Sequence, residues 1–148
     1  MSYVITETTM AIIPGRKTKI LDGKQTINIL DSPKEIVSRS CKLNGSTLEG
    51  RQKGSAYLIG SSYKPPVIVN EEDHIIFIPT HSIRNDRCAW LSLKHILCYY
   101  PKQNKVFVEF RNHEKILLDI SYEVLDRQIL RATRLELILN GRNYTKHL

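Results

Sequence analysis

The chain is organised around residues 39–54, whose sequence is RSCKLNGSTLEGRQKG. Together with Lys34 just upstream, this region carries five cations against two glutamates, Glu35 and Glu49. Its three glycines permit sharp turns and a close approach of the backbone to another molecule. Such a segment is suited to bind a polyanion. The alternative is an ordinary surface loop between a helix and a strand.

A helix is predicted over residues 33–43, running into this stretch. Ser32 can cap its first turn, Pro33 fits the first helical position, and Glu35 completes a capping box. Apolar and small residues recur at helical spacing and form an inward stripe. That stripe turns two cations outward, Arg39 and Lys42.

A second, shorter helix at residues 46–53 is favoured by one pattern and opposed by another. Ser46-Thr47-Leu48-Glu49 is a further capping box, whereas Gly50 lowers the helix propensity. The N-terminus of such a helix could bind a phosphate through its free amide groups. The apolar run that follows, at residues 55–60, is predicted as a strand.

The remaining apolar segments predict antiparallel strands. A strand at residues 9–13 precedes a hairpin over residues 18–30, and a hairpin at residues 67–78 is expected to be buried on both faces. Residues 95–120 predict a meander of three strands. Trp90 lies in an apolar strand, which favours a place in the core over a base-stacking role.

From residue 121 the apolar period changes to that of a helix, which is predicted to end near residue 139 at Asn140-Gly141. Three arginines on its outer face form a candidate phosphate rail: Arg127, Arg131 and Arg134. A solvated face paired with nearby acids is an equal alternative. The end of this helix is apolar nearly all round, which favours a subunit contact.

The polar loop at residues 81–87 carries two further cations, Arg84 and Arg87. On a loop tip they could enter a groove of a nucleic acid. Alternatively Asp86 pairs with one of them, and the loop is merely solvated.

The charge composition of the chain indicates which classes of partner it can bind. The 148-residue chain has a net charge of +7 and a pI near 9.4, which favours nucleic acid first and an anionic membrane surface second. No apolar run is long enough to span a bilayer and no signal peptide is evident, so we expect a cytoplasmic protein with no membrane partner. A single domain over residues 1–148 is expected.

Catalytic and metal-binding patterns are absent from the sequence. No histidine has the spacing of a metal ligand; the five are His74, His81, His95, His113 and His147. The three cysteines form neither a disulfide framework nor a zinc pair; they are Cys41, Cys88 and Cys98. Cys88 near His81 is only weak evidence for a thiol and its base. We expect no enzymatic activity, no cofactor and no metal.

These patterns predict an α+β fold in one domain. About seven to nine strands should form a mostly antiparallel sheet or a partly open barrel, with one helix in the N-terminal half and a longer C-terminal helix across it.

An ordered set of short motifs resembles the signature of the ComK family, the competence transcription factors of Gram-positive bacteria. The set spans about residues 36–122 and consists of Arg39-Ser40-Cys41, Gly45-Ser46, Gly50-Arg51, Lys64-Pro65-Pro66, Ile78-Pro79-Thr80 with Ser82, and Cys88-Ala89-Trp90. Leu48 and Ile78 stand where the family usually has aromatic residues. The resemblance implies a short form of the family without its usual C-terminal extension.

The resemblance implies an activator of competence genes that binds double-stranded DNA and associates with the nucleoid. Family members recognise paired A-rich and T-rich promoter boxes, largely through the minor groove, as dimers that assemble into a tetramer. RNA polymerase and a proteolytic adaptor are further partners implied in this way. On this view the contacts come first from Arg39, Arg51, Lys53 and Lys64, then from Arg84 and Arg87, with Lys42 on the DNA backbone.

Two other functions stay open. One is a non-catalytic protein-interaction or regulatory module whose basic face meets an acidic partner and which no longer activates transcription. The other is general RNA binding, which needs exposed aromatic rings among the cations. The tyrosines that offer such rings are Tyr57, Tyr63, Tyr99 and Tyr100.

Overall fold

The computed structural model describes the backbone of residues 2–146 and the side chains of residues 2–142. In this part of the chain it forms nine strands, three α-helices and one 3-10 turn at Leu93–His95. In chain order the elements are β1 (Thr9–Ile13), β2 (Thr18–Asp22), β3 (Gln25–Ile29), α1 (Pro33–Leu43), α2 (Leu48–Ile59), β4 (Val67–Asn70), β5 (Ile75–Pro79), β6 (Trp90–Ser92), β7 (Ile96–Lys102), β8 (Lys105–Phe110), β9 (Lys115–Leu118) and α3 (Tyr122–Lys146).

The strands form two antiparallel sheets. Six of them lie in the order β3-β2-β1-β6-β5-β4, and the other three in the order β7-β8-β9. The predicted α+β fold, with mostly antiparallel strands and the longer helix at the C-terminus, is confirmed. Across the described residues the sheets remain open, so the partly open barrel is not the form adopted.

The six-stranded sheet is buried on both faces, and strand alternation divides its side chains between two cores. Along β5, Phe77 faces the layer that contains α1, while Ile76 and Ile78 face the opposite side. Trp90 in β6 lies in the α1 core and is 1% exposed, which confirms its predicted place. Fully burying each such apolar side chain is worth about 1.5–3 kcal/mol. The hairpin over residues 67–78 is therefore buried on both faces as predicted.

On the other face, the three-stranded sheet and α3 enclose the larger core. Val106, Val108 and Phe110 point inward from β8, and Leu125 and Ala132 from α3. The meander at residues 95–120 and the hairpin at residues 18–30 are confirmed. The outer face of the three-stranded sheet is left to solvent.

Residues 55–59 are helical and Gly60 caps the helix, so the strand predicted at residues 55–60 is wrong. Thr47 rather than Ser46 caps α2, because its side chain accepts a hydrogen bond from the Gly50 amide at 2.9 Å. The helix then continues until Gly60, whose φ of 71° ends it in the left-handed conformation. A short apolar run cannot distinguish a buried strand from a buried helical turn.

The last helix does not end at Asn140-Gly141 as predicted but continues to Lys146. Arg142 in the added turns pairs with Glu71 in the β4–β5 turn at 3.1 Å. A tertiary contact thus holds a turn that local propensity alone would end. Strand β7 also passes through Pro101, which is tolerated because β7 is an edge strand.

Gly54 inside α2 and Gly60 at its C-terminal cap give a matched test of this assignment. Gly54 lies inside the helix with nothing within 4 Å of an added Cβ, so Gly54→Ala should raise the free energy of unfolding by about 0.5–1 kcal/mol. Gly60→Ala should lower it by about 1–2 kcal/mol because its backbone is left-handed. Urea unfolding of both variants measures the difference. Stabilisation by Gly60→Ala would contradict the helix end described here.

Candidate nucleic-acid interface

The predicted cations of the stretch at residues 39–54 do not form one free surface. Arg39 is half-buried, pairs with Asp31 at 2.5 Å and donates to the Tyr3 carbonyl at 2.8 Å. These bonds tie α1 to the segment before β1 and to the end of the β2–β3 hairpin. Arg39 therefore has a structural role that its outward position on the helix did not reveal.

The other cations of this stretch differ in their surroundings. Lys53 forms an exposed ion pair with Glu49 at 2.9 Å, an interaction that solvent largely screens. Lys42 is exposed near the end of α1. Arg51 is half-buried beside Cys41, and its Nε atom has no hydrogen-bond partner among the described residues. Burial raises the pKa of the Cys41 thiol to about 11, and the Arg51 charge opposes that rise.

A second group of cations converges from three separate parts of the chain. Lys64 precedes β4, and Arg127 and Arg131 lie on α3. Burial lowers the pKa of Lys64, and the charges of Arg131 and Arg127 lower it further. Lys64 Nζ lies 5.1 Å from the centre of the Tyr63 ring and 3.5 Å from the Thr80 carbonyl oxygen. Within the described residues no carboxylate pairs with Lys64, Arg127 or Arg131.

Gln128 holds this group together. It is 2% exposed, and its Nε2 donates at 2.9 Å to the carbonyls of both Lys64 and Pro79. Lys64 has a φ of 45°, a left-handed backbone that is unusual for a lysine and more so before a proline. Arg131 adds a 2.8 Å bond to the Tyr63 carbonyl. Helix α3 thereby fixes the strained segment that carries Lys64.

The loop between β5 and β6 brings one more cation, Arg87, and the titratable ring of His81 next to Lys64. His81 is half-buried, and Arg87 is exposed at the end of the loop. Burial lowers the pKa of His81, the charges of Lys64 and Arg87 lower it further, and Asp119 opposes them. We call Lys64, His81, Arg87, Arg127 and Arg131 the cationic cluster.

An adjacent cleft of about 830 Å³ opens at one end of the six-stranded sheet. The loop at residues 81–87 forms one wall, with Arg84 and Arg87 both exposed. The β1–β2 turn contributes Arg16 to the lining, and the start of α1 contributes Lys34. Asp86 also lines the cleft, but no ion pair joins it to either arginine among the described residues.

The sequence patterns do not single out Arg16, Lys34, His81 or Gln128 as site residues. Lys34 was counted only as part of the basic region, and Arg16 is one cation in a Pro-Gly turn. Of the predicted phosphate rail, Arg127 and Arg134 are exposed, while Arg131 is half-buried and bonded to Tyr63 and Gln128. The DNA-binding role of all the predicted cations stays a prediction.

Cys88 and His81 are not arranged as a nucleophile and its base. The Cys88 thiol donates to the backbone carbonyl of His81 at 3.2 Å, and burial raises its pKa. The His81 ring bonds through Nδ1 to the Thr80 hydroxyl at 2.9 Å. A protonated thiol facing a carbonyl has no nucleophilic activation.

Neither a group of metal ligands nor a membrane-spanning helix occurs in the part of the chain that the structure describes. There, no three His, Cys, Asp or Glu side chains lie together as metal ligands. Nor does any helix in that part have the length and apolarity needed to cross a membrane. His147 lies outside the described residues.

Fold and site together define an α+β protein with a cationic cluster and an adjacent cleft lined by further cations. The family model described as ComK protein matches residues 1–144. The chain is also 30% identical over 141 residues to the "Competence transcription factor" of Bacillus subtilis (strain 168), across 88% of this chain and 71% of that protein. The chain belongs to the ComK family. No solved structure gives a significant match.

Family membership confirms the resemblance seen in the sequence motifs. With the name of the Bacillus subtilis relative, it supports a transcriptional regulator of competence. It is also consistent with the prediction that the chain is not an enzyme, since the family is one of transcription factors.

The proximity of the clustered charges can be tested by titrating His81. Its pKa should lie below the ordinary value of 6.5 and should rise in Lys64→Gln, because a neighbouring positive charge is then removed. NMR titration of the ring protons measures both values. Lys24→Gln, which changes an exposed lysine outside the cluster, is the control and should leave the titration unchanged.

The same shift affects stability. A folded-state pKa below the unfolded value means that the unfolded chain binds more protons, so the free energy of unfolding falls as pH drops below about 6.5. His81→Gln should lose less stability over that window. A His81 that titrates at or above 6.5 would contradict the cationic cluster.

Proposed function

We propose that this chain is a sequence-selective double-stranded DNA-binding protein that activates transcription of competence genes. The family match and the name of the relative support the regulatory class. The observation that carries the DNA-binding part is the cationic cluster: cations from three segments lie close enough to lower the pKa of Lys64 and of His81. Clustered positive charges, which Asp119 offsets in part near His81, destabilise the free protein, and an anion that binds them relieves the repulsion.

The arrangement suits a nucleic-acid backbone better than a small anion. The cluster continues past Arg87 into the cleft, whose walls add Arg84, Arg16 and Lys34. Cations distributed over several elements match a row of phosphates, each contact releasing a counterion. Because most protein–DNA hydrogen bonds go to the backbone, this part of the surface would position the duplex.

Readout of A/T-rich boxes through the minor groove is the finer part of the proposal. A-tracts narrow the minor groove and deepen its negative potential, which draws in arginine side chains. Arg84 and Arg87 are exposed on the loop at residues 81–87 and have no carboxylate partner among the described residues. They therefore take first place as the groove-entering residues, ahead of Arg39 and Arg51.

The remaining predicted residues take supporting roles in this proposal. Lys64, Arg127 and Arg131 contact phosphates at the cluster, with Arg134 further along α3. Lys42 and Lys53 offer a second set of backbone contacts beside α1 and α2. Arg39 acts through its bonds to Asp31 and Tyr3, which hold α1 in place.

We also propose that the protein binds as a homodimer or as a dimer of dimers. Leu130 and Leu137 are 61% and 67% exposed on α3 and lie seven residues apart, on one side of the helix. Two large apolar side chains on an outer helix face favour contact with a second subunit. RNA polymerase and a proteolytic adaptor are partners that the family alone suggests.

The duplex experiment uses a fluorescent DNA with paired A and T boxes beside a GC-rich duplex, across a salt series. We expect tighter A/T binding with a steep salt dependence. Arg84→Ala combined with Arg87→Ala should weaken A/T binding at least tenfold and reduce the salt slope by about 2, since each arginine that enters the groove neutralises DNA charge, releases counterions and contributes about 0.9. Lys24→Ala is the matched control, and Arg39→Ala should mainly lower stability.

Each other outcome changes the proposal in a defined way. Equal binding to both duplexes would remove A/T selectivity and leave a basic surface. An unchanged salt slope in the double-arginine variant would move the contact away from the loop. Absence of binding at low salt would favour the alternative, a non-catalytic interaction module with an acidic protein partner.

A further inference from the structure

The outer face of the three-stranded sheet combines an exposed ring, Tyr100, and a half-buried ring, Phe107, with lysines. Strand pairing sets Tyr100 opposite Phe107 and Phe107 opposite Leu117, so the three side chains form one row across the sheet. Tyr100 is 38% exposed and Leu117 is 45% exposed. The Tyr100 and Phe107 ring centres are 5.5 Å apart. The inward-facing neighbours, Tyr99 and Val108, belong to the core instead.

Lysines surround this row. Lys102 Nζ lies 5.5 Å from the centre of the Phe107 ring, and Lys115 Nζ lies 6.0 Å from the centre of the Tyr100 ring. Lys105 in β8 lies directly opposite Lys102 in β7 in the strand register. Glu109 is the one acidic residue within β7, β8 and β9. Its carboxylate already accepts a hydrogen bond from His113 at 3.1 Å.

We propose that this face, Tyr100, Phe107 and Leu117 with Lys102, Lys105 and Lys115, is a second binding site that takes single-stranded nucleic acid. Bases stack on the two rings, and the lysines contact the phosphates on either side. Stacking on exposed aromatic rings within a basic surface is the general way in which sheets hold single strands. Duplex DNA cannot use this face in the same way because its bases are already stacked.

The positive charge of this face disfavours a second copy of the chain, and its rings disfavour an acidic protein, as the occupant. In a two-fold interface the same patch meets itself, so a second copy would bring Lys102, Lys105 and Lys115 against their own equivalents. An acidic protein would satisfy the lysines but has no need of the stacked rings. A polyanion with flat apolar bases satisfies both. The site is separate from the cationic cluster in its residues, and only Leu117 also lines the cleft.

The binding experiment titrates the full chain with fluorescent oligothymidylate of about fifteen nucleotides and with an abasic oligonucleotide of the same length. Wild type should prefer oligothymidylate. Tyr100→Leu combined with Phe107→Leu keeps apolar bulk and removes both rings. It should weaken oligothymidylate binding at least tenfold and leave the duplex affinity unchanged. Tyr57→Leu, at a tyrosine that is 87% exposed on α2, is the matched control.

The location is tested by Cys98, the exposed one of the three free cysteines, which sits on this face opposite Glu109. Saturating oligothymidylate should slow its reaction with a disulfide reagent at least fivefold. If the ring variant does not fold, Lys102→Gln with Lys115→Gln serves in its place. The salt slope should then fall by about 1.4, since each single-strand phosphate contact contributes about 0.7.

Several results would overturn the inference. Wild type that binds neither oligonucleotide, equal affinity for the abasic one, or full Cys98 reactivity in the bound state would each do so. Ring variants that convert a dimer to a monomer in sedimentation would assign the face to self-association instead. Loss of duplex binding with retained oligothymidylate binding would count against the duplex proposal alone.

Discussion

The structure depends on burying the six-stranded sheet on both faces. Strand β5 is buried from Ile75 to Pro79, and its alternate side chains enter two separate cores. A sheet covered on both sides leaves its loops and edges as the places where charge can collect. That is why the cleft forms beside the β5–β6 loop and why α3, lying over the second core, can bring arginines close to Lys64.

Repulsion among the positive charges of the cationic cluster is unfavourable, and the packing around Gln128 maintains it. Gln128 is buried against the carbonyls of Lys64 and Pro79, and it holds Lys64 in a left-handed conformation near the arginines of α3. Strain and like charges persist in one place only when the surrounding structure over-determines them. An anionic partner would remove the charge repulsion, which ties the stability of the fold to the proposed binding.

The two proposed surfaces have different chemistry because they are built on different elements. The cleft consists of loops and helix ends with flexible cations, which suit the phosphates of a duplex. The outer face of the three-stranded sheet fixes Tyr100 and Phe107 by strand pairing, which suits flat bases. Lysines appear in both, so the net charge of +7 alone could not separate them.

Local patterns in the sequence determined α1, the hairpins, the meander and the core position of Trp90, because capping residues and strand alternation act over a few residues. They could not determine α2 beyond residue 54, because an apolar run there fits a helix and a strand alike. Nor could they determine the last turns of α3, which the ion pair between Arg142 and Glu71 holds. The motifs also indicated the family. Tertiary structure alone decided that Arg39 donates to the Tyr3 carbonyl and that Lys64 lies near Arg131, since partners far apart in sequence are chosen by packing.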